Sequence, residues 1–155
     1  MMEHRRVRPP KRMQGLNDQL VDNGPFESKQ KALMFAAALG VHLGKRESFS
    51  DSDVAIRWDI FERNGDDTFI HALAVSETEG LGILADGNSD SGDAITIFEE
   101  YANAGLKHLE AQVLNSPVDV MDELIQLIVS VQRSGKDAPA ELEGLTQEDL
   151  DTLGL

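Results

Sequence analysis

The residues whose types and spacing lend themselves to chemistry fall in two short stretches. "DGNSDSGD" at 86–93 places Asp86, Asn88 and Asp90 at the first, third and fifth positions of a calcium-binding loop. Such a loop needs glycine at its sixth position and a bidentate carboxylate at its twelfth, where the chain has Ser91 and Ile97. The stretch therefore reads as a solvated polar loop. "FEEYANAG" at 98–105 is the densest polar and aromatic cluster, with Glu99, Glu100 and Asn103 along one flank of a helix and Phe98 and Tyr101 at its apolar seam. Adjacent carboxylates on a helix do not face each other, so a metal-dependent nuclease would need acidic groups from other elements as well. Glu99, Glu100, Tyr101 and Asn103 stand as the candidate partner-binding or functional patch, against the plainer reading of a charged helix face with a buried tyrosine.

The four histidines, His4, His42, His71 and His108, show no short metal-ligand spacing. His42 reads as a hydrogen-bonded core residue and His108 as lying on the solvated side of its helix. No glycine-rich loop with Lys-Ser or Lys-Thr is present. No catalytic residue, cofactor or metal ligand is assigned, and cysteine chemistry is excluded because the chain has no cysteine. That absence fits a reducing cytoplasm.

Charge divides the chain. Glu3 against Arg5, Arg6, Arg8, Lys11 and Arg12 leaves +4 for residues 1–12, so residues 13–155 carry −18 within a total of −14. Arg5, Arg6, Arg8, Lys11 and Arg12 are the candidate DNA-contacting residues, because a cationic arm neutralises phosphates without a folded reader. The alternative is a solubilising disordered terminus. An acidic remainder argues against a broad DNA-binding face.

These groups must be positioned by elements that the patterning predicts to be mainly α-helical. Thin aromatic content, 5%, leaves a core of Leu, Ile, Val and Ala that suits helices. Residues 1–24 lack sustained periodicity and end in the turn "DNGP", which predicts a flexible basic arm. Helices are expected at about 28–43, 68–79, 93–114 and 117–133, packed as a compact single-domain bundle over 25–134. Ala36, Gly40 and Gly44 recur every four residues and would let another helix approach closely, a face that also permits a homodimer. "VAIRWDIF" at 54–61 alternates like an extended segment or a strand of a small hairpin. Residues 135–155 form an acidic tail. No secretory signal and no membrane-spanning run are expected, which places the chain in the cytoplasm.

"NGPFESKQKALMFAAALGVHLGKR" at 23–46, "IRWDIF" at 56–61 and "IFEEYANAGLKHLE" at 97–110 together resemble the Dnd-system-associated protein 4 family, small proteins linked to DNA phosphorothioation. The resemblance covers about 24–132 and leaves the arm and tail outside it. It implies a setting in DNA modification or restriction, an anti-phage defence context, without supplying catalytic residues. With it, the sequence points to a non-catalytic accessory or adaptor subunit that binds a larger protein, with weak DNA contact through the arm. A metal-dependent nuclease using carboxylates from 86–100 and an acidic DNA mimic are the alternatives.

Overall fold

The computed structural model describes residues 5–78, 90–114 and 116–136, of which 90–93 and 134–136 are described in backbone only. Its elements in chain order are β1 (Arg6–Val7), a 3-10 turn (Lys11–Met13), α1 (Gln14–Asp22), α2 (Lys29–Leu43), β2 (Ile56–Arg57), α3 (Trp58–Asn64), α4 (Asp67–Thr78), α5 (Asp90–Val113) and α6 (Val120–Lys136). The fold is mainly α with one two-stranded sheet, as the patterning predicts. The chain divides into two compact units, Met1–Met121 and Asp122–Leu155, a boundary inside the stretch expected as one domain.

In the first unit, α2 follows from its ends and its composition. Ser28 is extended at φ −153°, and its Oγ accepts from the Lys31 N–H, which caps the helix start. Gly44 closes the helix in the left-handed region at φ 64°, a backbone shape a side chain resists. Between them Ala32, Leu33, Ala36 and Ala37 are buried. The small-residue spacing does what its geometry predicts: a Cβ on Gly40 would overlap the Tyr101 carbonyl oxygen, and one on Gly105 would overlap the Ala36 carbonyl oxygen. Backbones of α2 and α5 therefore touch directly, and the Ala36–Gly40 face is taken by α5.

Helix α5 carries the largest buried side chains of this pair, including Phe98, Leu106 and Leu109. Phe98 meets the edges of Phe61 from α3 and Phe69 from α4 at centroid distances of 5.8 and 6.5 Å. The extended segment expected near 54–61 is present as one strand of the two-stranded sheet, but it is shorter than the alternation suggests. Only Ile56–Arg57 is strand, and the chain turns helical at Trp58. Burial decides it: Trp58 and Phe61, three apart, are buried, whereas Val54 of the alternating set is 80% exposed.

The expected flexible arm is also corrected. Residues 5–11 run antiparallel to residues 51–58 as a strap. Arg6 pairs with Arg57 and Val7 with Ile56, the Trp58 N–H donates to the Arg5 carbonyl, and the Asp53 and Lys11 N–H groups donate to the Pro9 and Asp51 carbonyls. Pro9 and Pro10 have no N–H to donate and are tolerated because Pro9 only accepts along this edge, while the Pro10 carbonyl accepts from the Met13 N–H of the 3-10 turn. Val7, Met13, Leu16 and Leu20 are buried, so the strap and α1 belong to the apolar core. The physical reason is amphipathicity: Met13, Leu16 and Leu20 recur at helical spacing and cost too much to leave in water.

In the second unit, α6 places Asp122 and Glu123 in its first turn, where negative charge complements the helix dipole. Ile125, Ile128 and Val129 of this helix are exposed. The expected acidic tail from 137 onward lies outside the described residues.

Candidate functional site

Each residue of the "FEEYANAG" patch is committed to a partner from another element. Glu99 is 3% exposed. Its Oε2 accepts from the Arg8 backbone N–H at 2.7 Å and from Arg8 Nε at 3.3 Å. Burial pushes the Glu99 carboxyl above its ordinary range, and the contacts with Arg8 offset this only in part. Glu100 pairs with Arg46 Nε at 2.7 Å, and Arg46 also reaches Glu77 at 3.3 Å. The Tyr101 hydroxyl donates to Glu77, which, with burial, raises its pKa. Asn103 Nδ2 donates to the Glu47 carbonyl at 3.0 Å. These four residues fasten the strap, the loop after α2 and helix α4 onto α5. Of the four, Glu99 is covered by the strap, Asn103 is buried against the loop after α2, and Glu100 and Tyr101 meet Arg46 and Glu77.

The remaining sequence candidates separate in the same way. Arg8 is drawn to Glu99, whereas Arg5, Arg6, Lys11 and Arg12 have no ion pair with another described residue. His42 is exposed rather than core. His108 is half-buried beside Gln112, its Nε2 3.0 Å from the Gln112 amide nitrogen, and His71 lies against Trp58 at 5.6 Å. His4 and residues 86–89 of the calcium-like stretch lie outside the described residues. From Asp90 the backbone is helical, so 90–97 is the start of α5 rather than a ligand loop. Among the described residues no group of three or more His, Asp or Glu is placed to hold a metal ion.

What sequence reasoning missed is a cationic groove assembled from three distant segments. A cavity of about 430 Å³ lies where the 3-10 turn, loop 48–51 and α5 meet, lined by Lys11, Arg12, Ser48, Ser50, Asp51 and Lys107 among others. Lys107 also lines a neighbouring hollow with Lys45, Arg46, His108 and the acidic Glu47. The signal was present only as isolated cations far apart in the chain.

Fold and site together define a class: a small helical protein of acidic composition whose amino-terminal strap is locked onto its body and leaves cations facing outward. No described helix is long and apolar enough to cross a membrane. The chain belongs to the family described as DNA sulphur modification system-associated protein 4, whose model matches residues 6–147. The match takes in the strap, which the sequence resemblance left outside. No curated protein and no solved structure matches the chain.

Proposed function

We propose that this protein is a non-catalytic accessory subunit of a cytoplasmic DNA sulphur modification or restriction system that acts in antiviral defence. In it, the chain holds a larger protein component and touches DNA weakly through its amino-terminal segment. Family membership supplies the link to DNA sulphur modification. The observation that carries the accessory reading is the commitment of the acidic candidates. Glu99 and Glu100, two of the carboxylates from 86–100 on which a nuclease would draw, are each paired with an arginine from another element, Arg8 and Arg46. A carboxylate held in a cross-element ion pair fastens segments together and is not poised to hold a catalytic cation.

The experiment is a supercoiled-plasmid assay of the purified full chain with Mg²⁺ or Mn²⁺. The accessory reading predicts no nicking beyond the metal-only control. Metal-dependent nicking that Glu99→Gln or Glu100→Gln abolishes would overturn it in favour of the nuclease.

A further inference from the structure

We infer that Lys11, Arg12, Lys45 and Lys107 form a folded groove for the phosphodiester backbone of duplex DNA, built by the strap and the body together. The inference rests on the proposed function for the choice of DNA among polyanions, and it replaces a free arm with a shaped surface.

The first support is how the cations are distributed. In this acidic protein the described basic residues after the strap are paired with carboxylates: Lys29 with Asp18 and Asp53, Lys31 with Asp66, Arg46 with Glu77 and Glu100, Arg57 and Arg63 with Asp59, and Lys107 with Glu47. Lys45 and Arg133 are the exceptions, and Arg133 belongs to the second unit. The strap and 3-10 turn break the rule, because Arg6, Lys11 and Arg12 are exposed with no ion pair to a described residue. Lys11, Arg12 and Lys45, left unpaired amid abundant carboxylates, are available to an external anion, and Lys107 reaches one by exchanging Glu47 for it.

The second support is placement. The Lys11 N–H donates to the Asp51 carbonyl at 3.0 Å, which fixes the 3-10 turn beside loop 48–51 and so beside Lys107. Lys107 borders both hollows, and Lys45 lies at the far one, so the positive charges are spread along a surface instead of converging on one point. Along β1 the buried Val7 turns inward and Arg6 is exposed on the opposite face, a further unpaired cation on the strap. A row of cations with Ser48 and Ser50 hydroxyls beside it suits a repeating anion read without base contacts. Asp51 on the cavity wall and Glu47 in the neighbouring hollow oppose that anion and limit its affinity.

The test uses the full chain, a fluorescently labelled random-sequence 20-base-pair duplex and anisotropy from about 20 to 200 mM salt. Charge substitution is used in place of truncation because the strap carries core residues, and each variant's denaturation midpoint is confirmed by Trp58 fluorescence. With five cations available, Arg6 included, the log–log salt slope is no steeper than about −4.5. Lys45→Gln, outside the strap and unpaired, lowers the slope by about one, Lys107→Gln lowers it by less because Glu47 already meets part of its charge, and Asp51→Asn tightens binding. The groove is refuted by unchanged slopes in Lys45→Gln and Lys107→Gln, by absence of binding at about 20 mM salt, or by polyglutamate competing as well as duplex at equal charge. None of these outcomes touches the accessory role, which the plasmid assay and partner recovery test separately.

Discussion

Gly105 on α5 lies directly against the carbonyl oxygen of Ala36 on α2, and a Cβ at Gly105 would overlap that oxygen. Gly105→Ala must therefore push the two helices apart, because the obstacle is backbone and cannot rotate away. Chemical denaturation followed by Trp58 fluorescence is expected to show a loss of about 3 kcal/mol, at the upper end for overpacking. Gly15→Ala in α1, where a Cβ meets nothing within 4 Å, is expected to stabilise by about 0.5–1 kcal/mol. Equal effects at the two sites would contradict the direct backbone contact.

The strap makes a second demand. Deleting residues 1–12 removes buried Val7 and the Arg5 carbonyl that accepts from the Trp58 N–H. The denaturation midpoint is expected to fall and Trp58 emission to shift red, and Val7→Ala alone should cost on the order of 2 kcal/mol. A free arm would leave midpoint and emission unchanged.

Glu99 gives stability a pH signature. Its carboxyl is easier to protonate in the fold than in the unfolded chain, since burial outweighs Arg8. Its contribution to stability is therefore greatest below about pH 4.5, the ordinary carboxyl value, and declines as pH rises through the raised folded value. Glu99→Gln keeps an acceptor oxygen for the Arg8 N–H, so it should be at least as stable as the parent at pH 7 and lack this decline. Glu99→Ala leaves that N–H without its acceptor and should lose about 1–3 kcal/mol. Denaturation at pH 5 and pH 7 distinguishes these outcomes, and Gln proving as damaging as Ala at pH 7 would contradict them.

Tyr101 is the only tyrosine in the chain, so its ionisation can be followed at one absorbance band without overlap. The hydrogen bond to Glu77, then burial and the Glu77 charge, raise its pKa above 10, with Arg46 opposing. Glu77→Ala is expected to bring the midpoint down toward 10. No downward shift would mean that Glu77 does not hold the hydroxyl.

How far this was legible depends on where the signals lay. Helices α2 and α5 were readable because capping and a long apolar period coincide, as at Ser28, Leu33, Ala37 and Gly44 in α2. Helix α1 was hidden because Leu16 and Leu20 span only one turn, and no side-chain cap marks the start at Met13. Helix α3 was masked by alternation across its first residue: Ile56 is strand, and Trp58 already belongs to the helix. Glu99 looked like a surface group because nothing local reveals that Arg8, 91 residues away, closes over it. The cationic groove was illegible for the same reason, since Lys11 and Lys45 are each brought beside Lys107 only by the strap pairing and the packing of α2 on α5.

The accessory role is tested most directly by recovering the affinity-tagged full chain from its native host after nuclease digestion of the lysate and weighing the co-purifying proteins by mass spectrometry. The account predicts that a component of the DNA sulphur modification system is recovered in fixed ratio to the chain with DNA removed, and that it rebinds the purified chain in isolation. Recovery of the chain without any such component, together with cleavage or modification of DNA by the chain alone, would contradict it.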